Sequence, residues 1–367
     1  MWVEHFKTVC GTGSCSVSNS LKTNFLLVNP ISFELGEVNL AIASLSKNKA
    51  PGPDGIPADF FITCSHIWAP ILLNALNAAA KGAVPSSWRT SVILPILKKG
   101  DRGAPNCNRP ISLIDSTVKV VGHILLTRIR TWAEGWGGIS LFQYGFRPGL
   151  GTVDQCLNLN LIINKYTMTK EGSLHLAFID LYSALDCMNR TKLWGIWSTM
   201  GIDPSLIEFL KLLHQDMKGS VRYSSDGEYS SFDILAGVRQ GCILAPFLFT
   251  LYINGLDKAL LLQTTDSPHV GSLVIPALLY ADDAVLLSRT ALGLQKLIDS
   301  FVIFMKDLDL CTNYNKSHIM VVGRKSTKTY RFCVEAQTLS RVDSFAYLGI
   351  IFDQNHSWAP LIQNKLT

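Results

Sequence analysis

The stretch Leu278-Leu279-Tyr280-Ala281-Asp282-Asp283-Ala284-Val285-Leu286-Leu287 sets two adjacent acids between apolar flanks. Apolar runs of this length on either side of a polar pair predict two strands joined by a tight turn, with carboxylates at the tip. Two carboxylates about 4 Å apart repel by roughly 4 kcal/mol at an effective dielectric of ~20. A dication relieves that repulsion, and hard oxygen ligands select Mg²⁺ or Mn²⁺. On these residues alone, a solvated acidic tip and a metal-binding turn both fit.

Working outward, a second acid ends a strand: Leu174 to Ile179 is apolar and runs into Asp180. If the two strands are neighbours in one sheet, Asp180 and the Asp282-Asp283 pair meet at one end. That is the donor set of a two-metal site, whose ions lie about 3.5–4 Å apart in a phosphoryl transfer. Side chains alternate along a strand, so Asp180 and Asp282 are expected as the main ligands, with Asp283 supporting.

Around this centre the periodicity alternates irregularly between helix and strand. Helices are expected around Val38, Ala41, Ile42 and Leu45, over residues 59–81, through Val118 to Ile129, from Thr152 to about Thr167, around Leu244 to Tyr252, and through Leu294 to Met305. Strands are expected at Val92–Leu97, as a pair within Tyr223–Leu235 turning at Asp226-Gly227, at Val321-Val322 and over Tyr347–Phe352. Lys47 to Pro57 is a Pro/Gly-rich turn, and residues 1 to about 30 read as an irregular lead-in. The absence of strict βα alternation predicts an α+β fold with an antiparallel sheet.

Composition sets bounds. The chain has 367 residues, 48% of them hydrophobic, enough for a large core. A net charge of +5 permits a nucleic-acid partner without establishing one. The nine cysteines show neither CxxC nor zinc-finger spacing, so free thiols in a reducing, intracellular compartment are expected. The first residues lack a signal-peptide core, and no apolar run approaches the ~18 residues of a membrane span.

Nine sequence blocks then occur in a fixed order. They are Lys49-Ala50-Pro51-Gly52-Pro53-Asp54-Gly55, Leu94 to Asp101, Arg109-Pro110-Ile111-Ser112-Leu113, Gln143-Tyr144-Gly145-Phe146-Arg147-Pro148-Gly149, and Phe178-Ile179-Asp180-Leu181 with Ala184-Leu185-Asp186. Gly237 to Pro246, Tyr280 to Asp283, Asn313-Tyr314-Asn315-Lys316 and Tyr347-Leu348-Gly349 complete the series. In this order the chain resembles the reverse transcriptase domain of LINE-type (non-LTR) retrotransposons, relatives of group II intron maturases and telomerase.

The resemblance implies a right-hand polymerase with fingers and palm, an antiparallel palm sheet backed by helices, and a thumb largely missing. The expected layout is an N-terminal lead-in at 1–37, fingers and palm at 38–353, and the start of a truncated thumb at 354–367. It also implies RNA-directed DNA polymerase activity on an RNA template and a DNA primer with dNTPs, two Mg²⁺ ions (Mn²⁺ as the alternative) and no membrane. By the same resemblance, Asp180, Asp282 and Asp283 correspond to the catalytic metal ligands. Lys98, Lys99 and Arg109 correspond to contacts for the incoming triphosphate; Lys offers a point charge and Arg a bidentate fork. Gln240 and Gly241 resemble the loop under the nascent base pair, where glycine allows close backbone approach. Lys316 corresponds to a general acid for leaving pyrophosphate, and Tyr347, Leu348 and Gly349 to the primer grip. Read without the family, Lys98-Lys99 more often mark a solvated turn, and Arg109 before a proline fits a surface loop equally well. Arg324, Lys325, Lys328 and Arg331, with Tyr330 and Phe332, fit either a single-strand grip or a solvated basic face.

Several positions depart from the family pattern. Leu185 stands where the family carries Phe, or Tyr in retroviral relatives, as the gate against a ribose 2′-hydroxyl. Cys107-Asn108 replaces the usual Asn-Tyr before Arg109, and Leu150-Gly151 stands where a basic residue and Ser are common. Together with the missing thumb, these support an alternative reading as an inactive, truncated remnant that binds RNA. A viral-type RNA polymerase shares the two-metal chemistry, but Ala281 stands where such enzymes commonly place Gly.

Overall fold

The computed structural model describes residues 2–11, 29–98, 100–101, 103–168, 172–222, 229–263, 266–323 and 330–356. Lys99, the Asp226-Gly227 turn, Arg324, Lys325, Lys328 and most of 354–367 lie outside these described residues. The chain forms two compact units, each built from two separate stretches: 1–138 with 185–245, and 139–184 with 246–367.

The first unit contains α1 (Trp2–Gly11), α2 (Leu35–Ala43), α3 (Ala58–Thr63), α4 (Ser65–Ala80), α5 (Ser116–Trp136), α7 (Ala184–Cys187, entered from the other unit), α8 (Arg190–Met200) and α9 (Pro204–His214). Its sheet runs β2 (Asn108–Leu113), β1 (Thr90–Leu97), β4 (Lys218–Arg222), β5 (Tyr229–Asp233), with β1 and β4 parallel. The lead-in expected to be irregular begins instead with α1. Trp2, Phe6 and Cys10 recur every four residues and give it one apolar face. Phe6 and Cys10 are buried against Ile93, Met217, Val221, Phe232 and Ile234 of the sheet and its edges. The helix expected over 59–81 is two helices, broken at Cys64 by a backbone at φ −112°. Arg109 to Leu113, expected as a bare motif, lies in strand β2 paired with β1.

The second unit contains α6 (Thr152–Thr167), β3 (Ser173–Ile179), α10 (Ala245–Tyr252), α11 (Leu256–Leu261) and the short pair β6 (His269–Val270) and β7 (Leu273–Val274). There follow β8 (Ala277–Tyr280), β9 (Asp283–Ser288), α12 (Ala291–Asp307), β10 (His318–Gly323), β11 (Cys333–Val334), β12 (Gln337–Thr338), β13 (Ser340–Arg341), β14 (Ser344–Tyr347) and β15 (Ile350–Asp353). Its central sheet has the order β13-β10-β3-β9-β8; every pair is antiparallel except β10 with β13. Leu174, Leu176 and Phe178 of β3 pack on Cys156, Leu159, Ile162 and Ile163 of α6, while α12 packs against β3 and β9. All of residues 174–179 are buried, so β3 is covered on both faces and reads as an apolar run broken only by His175. This central strand is what carries Asp180 to the end of the sheet.

Among the described residues no helix is long and apolar enough to cross a membrane, and the described cysteines are free.

Candidate active site

Register builds the acidic centre of the second unit. In the β8–β9 hairpin Tyr280 pairs with Asp283, so Ala281 and Asp282 are the two residues of the turn. In the β3–β9 ladder Ile179 pairs with Ala284, and one further step sets Asp180 opposite Asp283. The three predicted acids therefore meet at one sheet end, with Asp283 as the neighbour of both others and Asp282 at the tip. Asp283 keeps solvent-exposed surface, yet its carboxyl is walled by surrounding atoms. That burial, with the charges of Asp282 and Asp180, pushes it up to about 6.

Asp180 is held in place by a loop whose sequence gave little sign of the task. Its backbone N–H donates to Ser317 Oγ (3.1 Å), and its carbonyl accepts from the Asn313 N–H (2.8 Å). Asn313 Nδ2 donates to Asp180 Oδ2 at 2.8 Å, and Lys316 Nζ stands 3.9 Å from the same oxygen. The structure thus brings Lys316 beside Asp180. The ammonium is two-thirds exposed, so this pair by itself contributes little.

The Gln143 block supports the turn. Ala281 has φ +52°, a left-handed conformation that costs a non-glycine residue roughly 1–2 kcal/mol. Buried Gln143 holds it there: its Oε1 accepts from the Ala281 N–H (2.9 Å) and the Gly145 N–H (2.8 Å). A Cβ on Gly145 would come within 2.3 Å of the Ala281 nitrogen, so this position requires glycine. Gln155 of α6, fully buried, donates from Nε2 to the carbonyls of Phe142 and Leu279. Gln143, Gln155, Asn313 and Ser317 all lie in or beside the quoted motifs, but spacing alone did not assign them these tasks. For Gln155 the available signal was a polar amide among the apolar positions of a helix, which must find partners when buried; Asn313 and Ser317 sit in a polar loop that carried no such signal.

Two aromatic residues from the quoted stretches of this unit are buried. Tyr347 was expected to grip a primer, but its side chain is 3% exposed and belongs to the core with Phe178 and α6. Only Leu348 and Gly349, both at positive φ, form the tip of the β14–β15 hairpin. Phe332, a stacking residue in only one of the two readings of its basic stretch, is likewise buried, with its ring beside His175; Tyr330 and Arg331 are exposed.

In the first unit the Lys98 amide donates to the Cys107 carbonyl (2.8 Å), extending the β1–β2 ladder. Ile96 pairs with Arg109, so Lys98 and Arg109 occupy diagonal positions on one face, and both are exposed. The loop 237–241 is tied on three sides. Val238 N–H donates to the Leu185 carbonyl (2.9 Å), Ser112 N–H to the Gln240 carbonyl (2.7 Å), and buried Arg239 to the Trp88 carbonyl (3.1 Å). Gly241 has φ +105°, and a Cβ there would meet the Ser112 carbonyl at 2.8 Å. Glycine thus permits a close approach of this loop to strand β2. Gln240 Nε2 donates to Asp186 Oδ2 at 2.6 Å, a partner the sequence reading left without a role. Leu185 is half-buried.

Oxygen-only donors that repel one another suit a hard dication, and Asp283 is raised first by burial and then by the charges of Asp282 and Asp180. The residues present therefore fit the implied metal. Among the described residues, however, no group of three His, Cys, Asp or Glu side chains forms a ready metal cage. The carboxylates are close enough to feel each other without enclosing an ion.

Residues 96–352 match the family model described as reverse transcriptase (RNA-dependent DNA polymerase). The chain is 28% identical over 329 residues to the Pol polyprotein of the type-2 retrotransposable element R2DM of Drosophila melanogaster, covering 86% of this chain and 30% of that protein. It is 26% identical over 356 residues to the RNA-directed DNA polymerase from mobile element jockey of Drosophila funebris, covering 93% and 37%. The chain thus spans about a third of the length of these relatives. Among solved structures, apo telomerase from Candida tropicalis, truncated from its C-terminal domain, matches with a TM-score of 0.50 at 14% identity, over 78% of this chain and 58% of that one. That likeness shows the α+β polymerase fold. The chain belongs to the reverse transcriptase family, in a form related to the polymerases of non-LTR retrotransposons.

Proposed function

We propose that this chain carries out RNA-directed DNA synthesis, joining a dNTP to the 3′-hydroxyl of a DNA primer on an RNA template and releasing pyrophosphate. One observation supports this above the rest: three aspartates from two stretches of chain share one sheet end, and Asp283 carries the mark of their charges. Asp180, Asp282 and Asp283 would hold a pair of divalent cations, Mg²⁺ or Mn²⁺. When bound, such ions neutralise charge on attacking and leaving oxygens. Asn313 and Ser317 fix Asp180, and Gln143 fixes the Ala281-Asp282 turn, so the carboxylates are oriented before substrate arrives.

Lys98 and Arg109, with Lys99, are proposed to bind the triphosphate. Gln240 and Gly241 belong to the loop proposed to lie under the nascent base pair. Lys316 is proposed to give its proton to pyrophosphate as that group leaves, a role supported by its place beside Asp180. Leu185 at the sugar position is proposed to relax discrimination against ribonucleotides. Leu348 and Gly349, without the Tyr347 side chain, are the residues proposed to touch the primer.

The test is Mg²⁺-dependent extension of a DNA primer on an RNA template, with Asp282→Asn as control. Activity in the wild type that is lost in the variant is the expected result. Absence in both favours the alternative, an inactive remnant, a reading supported by Leu185.

A further inference from the structure

We propose that Asp186 is a positioning residue for Gln240: its buried carboxylate takes an Nε2 hydrogen and so fixes the amide, leaving Oε1 as the group that the loop offers to substrate. This rests on the reading of the 237–241 loop as a nucleotide-facing element. A free glutamine amide can rotate and present either a donor or an acceptor. Tied through Nε2 at 2.6 Å, it presents an acceptor, which suits a hydroxyl or amino donor on the nucleotide.

The backbone on both sides is fixed as well. Gly237 N–H donates to the Met188 carbonyl (2.8 Å), and Val238 N–H to that of Leu185. A Cβ on Gly237 would lie 2.2 Å from the Asp186 carbonyl oxygen, so glycine permits this close approach of loop to α7. Asp186 itself is 7% exposed. It borders a cavity of about 10 Å³ together with Cys10, Ser112, Arg239 and Gln240. That is space for one water at most, so Asp186 acts through Gln240 and does not touch substrate.

The arrangement responds to pH. Burial pushes Asp186 up to about 7, against the Gln240 hydrogen bond and the charge of Lys98, which favour its ionised form. Cys10 of α1 and Arg239 of the loop line the same cavity as Asp186, and the charges of Cys187 and Arg190 reach Cys10. Cys10 is itself pushed up to about 12, so it stays a neutral thiol across the range that matters. Protonated, Asp186 can present its O–H to Oε1, turning the amide so that Nε2 faces outward.

The experiment uses the ¹⁵N-labelled full chain. The side-chain amide resonances of Gln240, identified by their loss in Gln240→Glu, are followed from pH 5.5 to 8.5, a span of about 1.5 units either side of Asp186's raised value. The expected result is a titration with a midpoint near 7 that disappears in Asp186→Asn and persists in Asp283→Asn. Amide resonances that ignore pH in the wild type, or that titrate unchanged in folded Asp186→Asn, overturn the proposal. A second arm measures primer extension. Asp186→Leu raises KM for dNTP by ~10-fold with a smaller change in kcat, and Asp186→Asn recovers most of it. Equal loss in kcat and KM for both variants also overturns it. If the wild type extends no primer, the polymerase reading fails, while the amide titration still decides the role of Asp186.

Discussion

Asp283 and Asp186 are both carboxyl groups pushed upward, to about 6 and about 7, but by different surroundings. At Asp283 burial acts together with two like charges, and every cause points the same way. At Asp186 burial acts alone, opposed by a hydrogen bond from Gln240 and by the charge of Lys98. The first pattern is a cluster that gains from a cation. The second is a single buried acid hydrogen-bonded to Gln240. A raised carboxyl therefore does not by itself mark a metal site, because burial alone raises Asp186 while like charges add to burial at Asp283.

The sharpest way to break the comparison is to remove charge from the cluster. Asp282→Asn or Asp180→Asn is expected to lower primer extension by ~10³-fold or more, since several kcal/mol of charge stabilisation depend on these oxygens. Steady-state extension assays check it, and retention of most activity in either variant removes the cluster from the chemistry.

The support beneath the cluster comes next. Gln143→Leu strips the acceptor from two buried N–H groups, those of Ala281 and Gly145. At 1–3 kcal/mol for each unpartnered donor, stability should fall by roughly 2–5 kcal/mol in urea titration. Unchanged stability shows that the left-handed turn at Ala281 holds without it.

Stability against pH tests the two acids side by side. Both have folded-state values above the ordinary carboxylate range, near 3.8. Their contribution is present below that range and is lost as pH rises, through about 7 for Asp186 and through about 6 for Asp283. Asp186→Asn should therefore gain stability over wild type between pH 4 and pH 7, by up to ~4 kcal/mol. Asp283→Asn should gain much less, about 1 kcal/mol, because its exposed surface screens the effect. Thermal melts across that range measure both. Added Mg²⁺ should lower the titration of Asp283 and leave that of Asp186 in place.

The smallest expected effect is on the sugar. Leu185→Phe should improve the preference for dNTP over rNTP by roughly 10- to 100-fold, the range of 1–3 kcal/mol pocket changes. Competing incorporation measurements read it, and unchanged selectivity removes Leu185 from the sugar contact.

What could be read from the chain beforehand follows from distance along it. The Tyr280–Asp283 turn, the Asp180 strand end and the α6 helix are local patterns, and each was legible. Helix α1 was also legible in principle, since Trp2, Phe6 and Cys10 share one face, but a helix of this length offers little signal before its partner strands are known. Tyr347 shows the opposite difficulty. A Tyr beside a turn looks exposed until the Phe178 and α6 surfaces that bury it are placed. The amide partners were out of reach for the same reason. Gln143 and Ala281 are 138 positions apart, Asn313 and Asp180 are 133, and Gln240 and Asp186 are 54.

By itself the sequence determined the family, the α+β class and the acids at the strand ends, because hydrophobic period and motif order are properties of short segments. Only the tertiary structure decided that Asp283 stands between Asp180 and Asp282, that Tyr347 is core, and that Gln240 is bound to a buried acid. Register, burial and hydrogen-bond partnership arise from surfaces brought together across long stretches of chain. No local spacing encodes which two of those surfaces will meet.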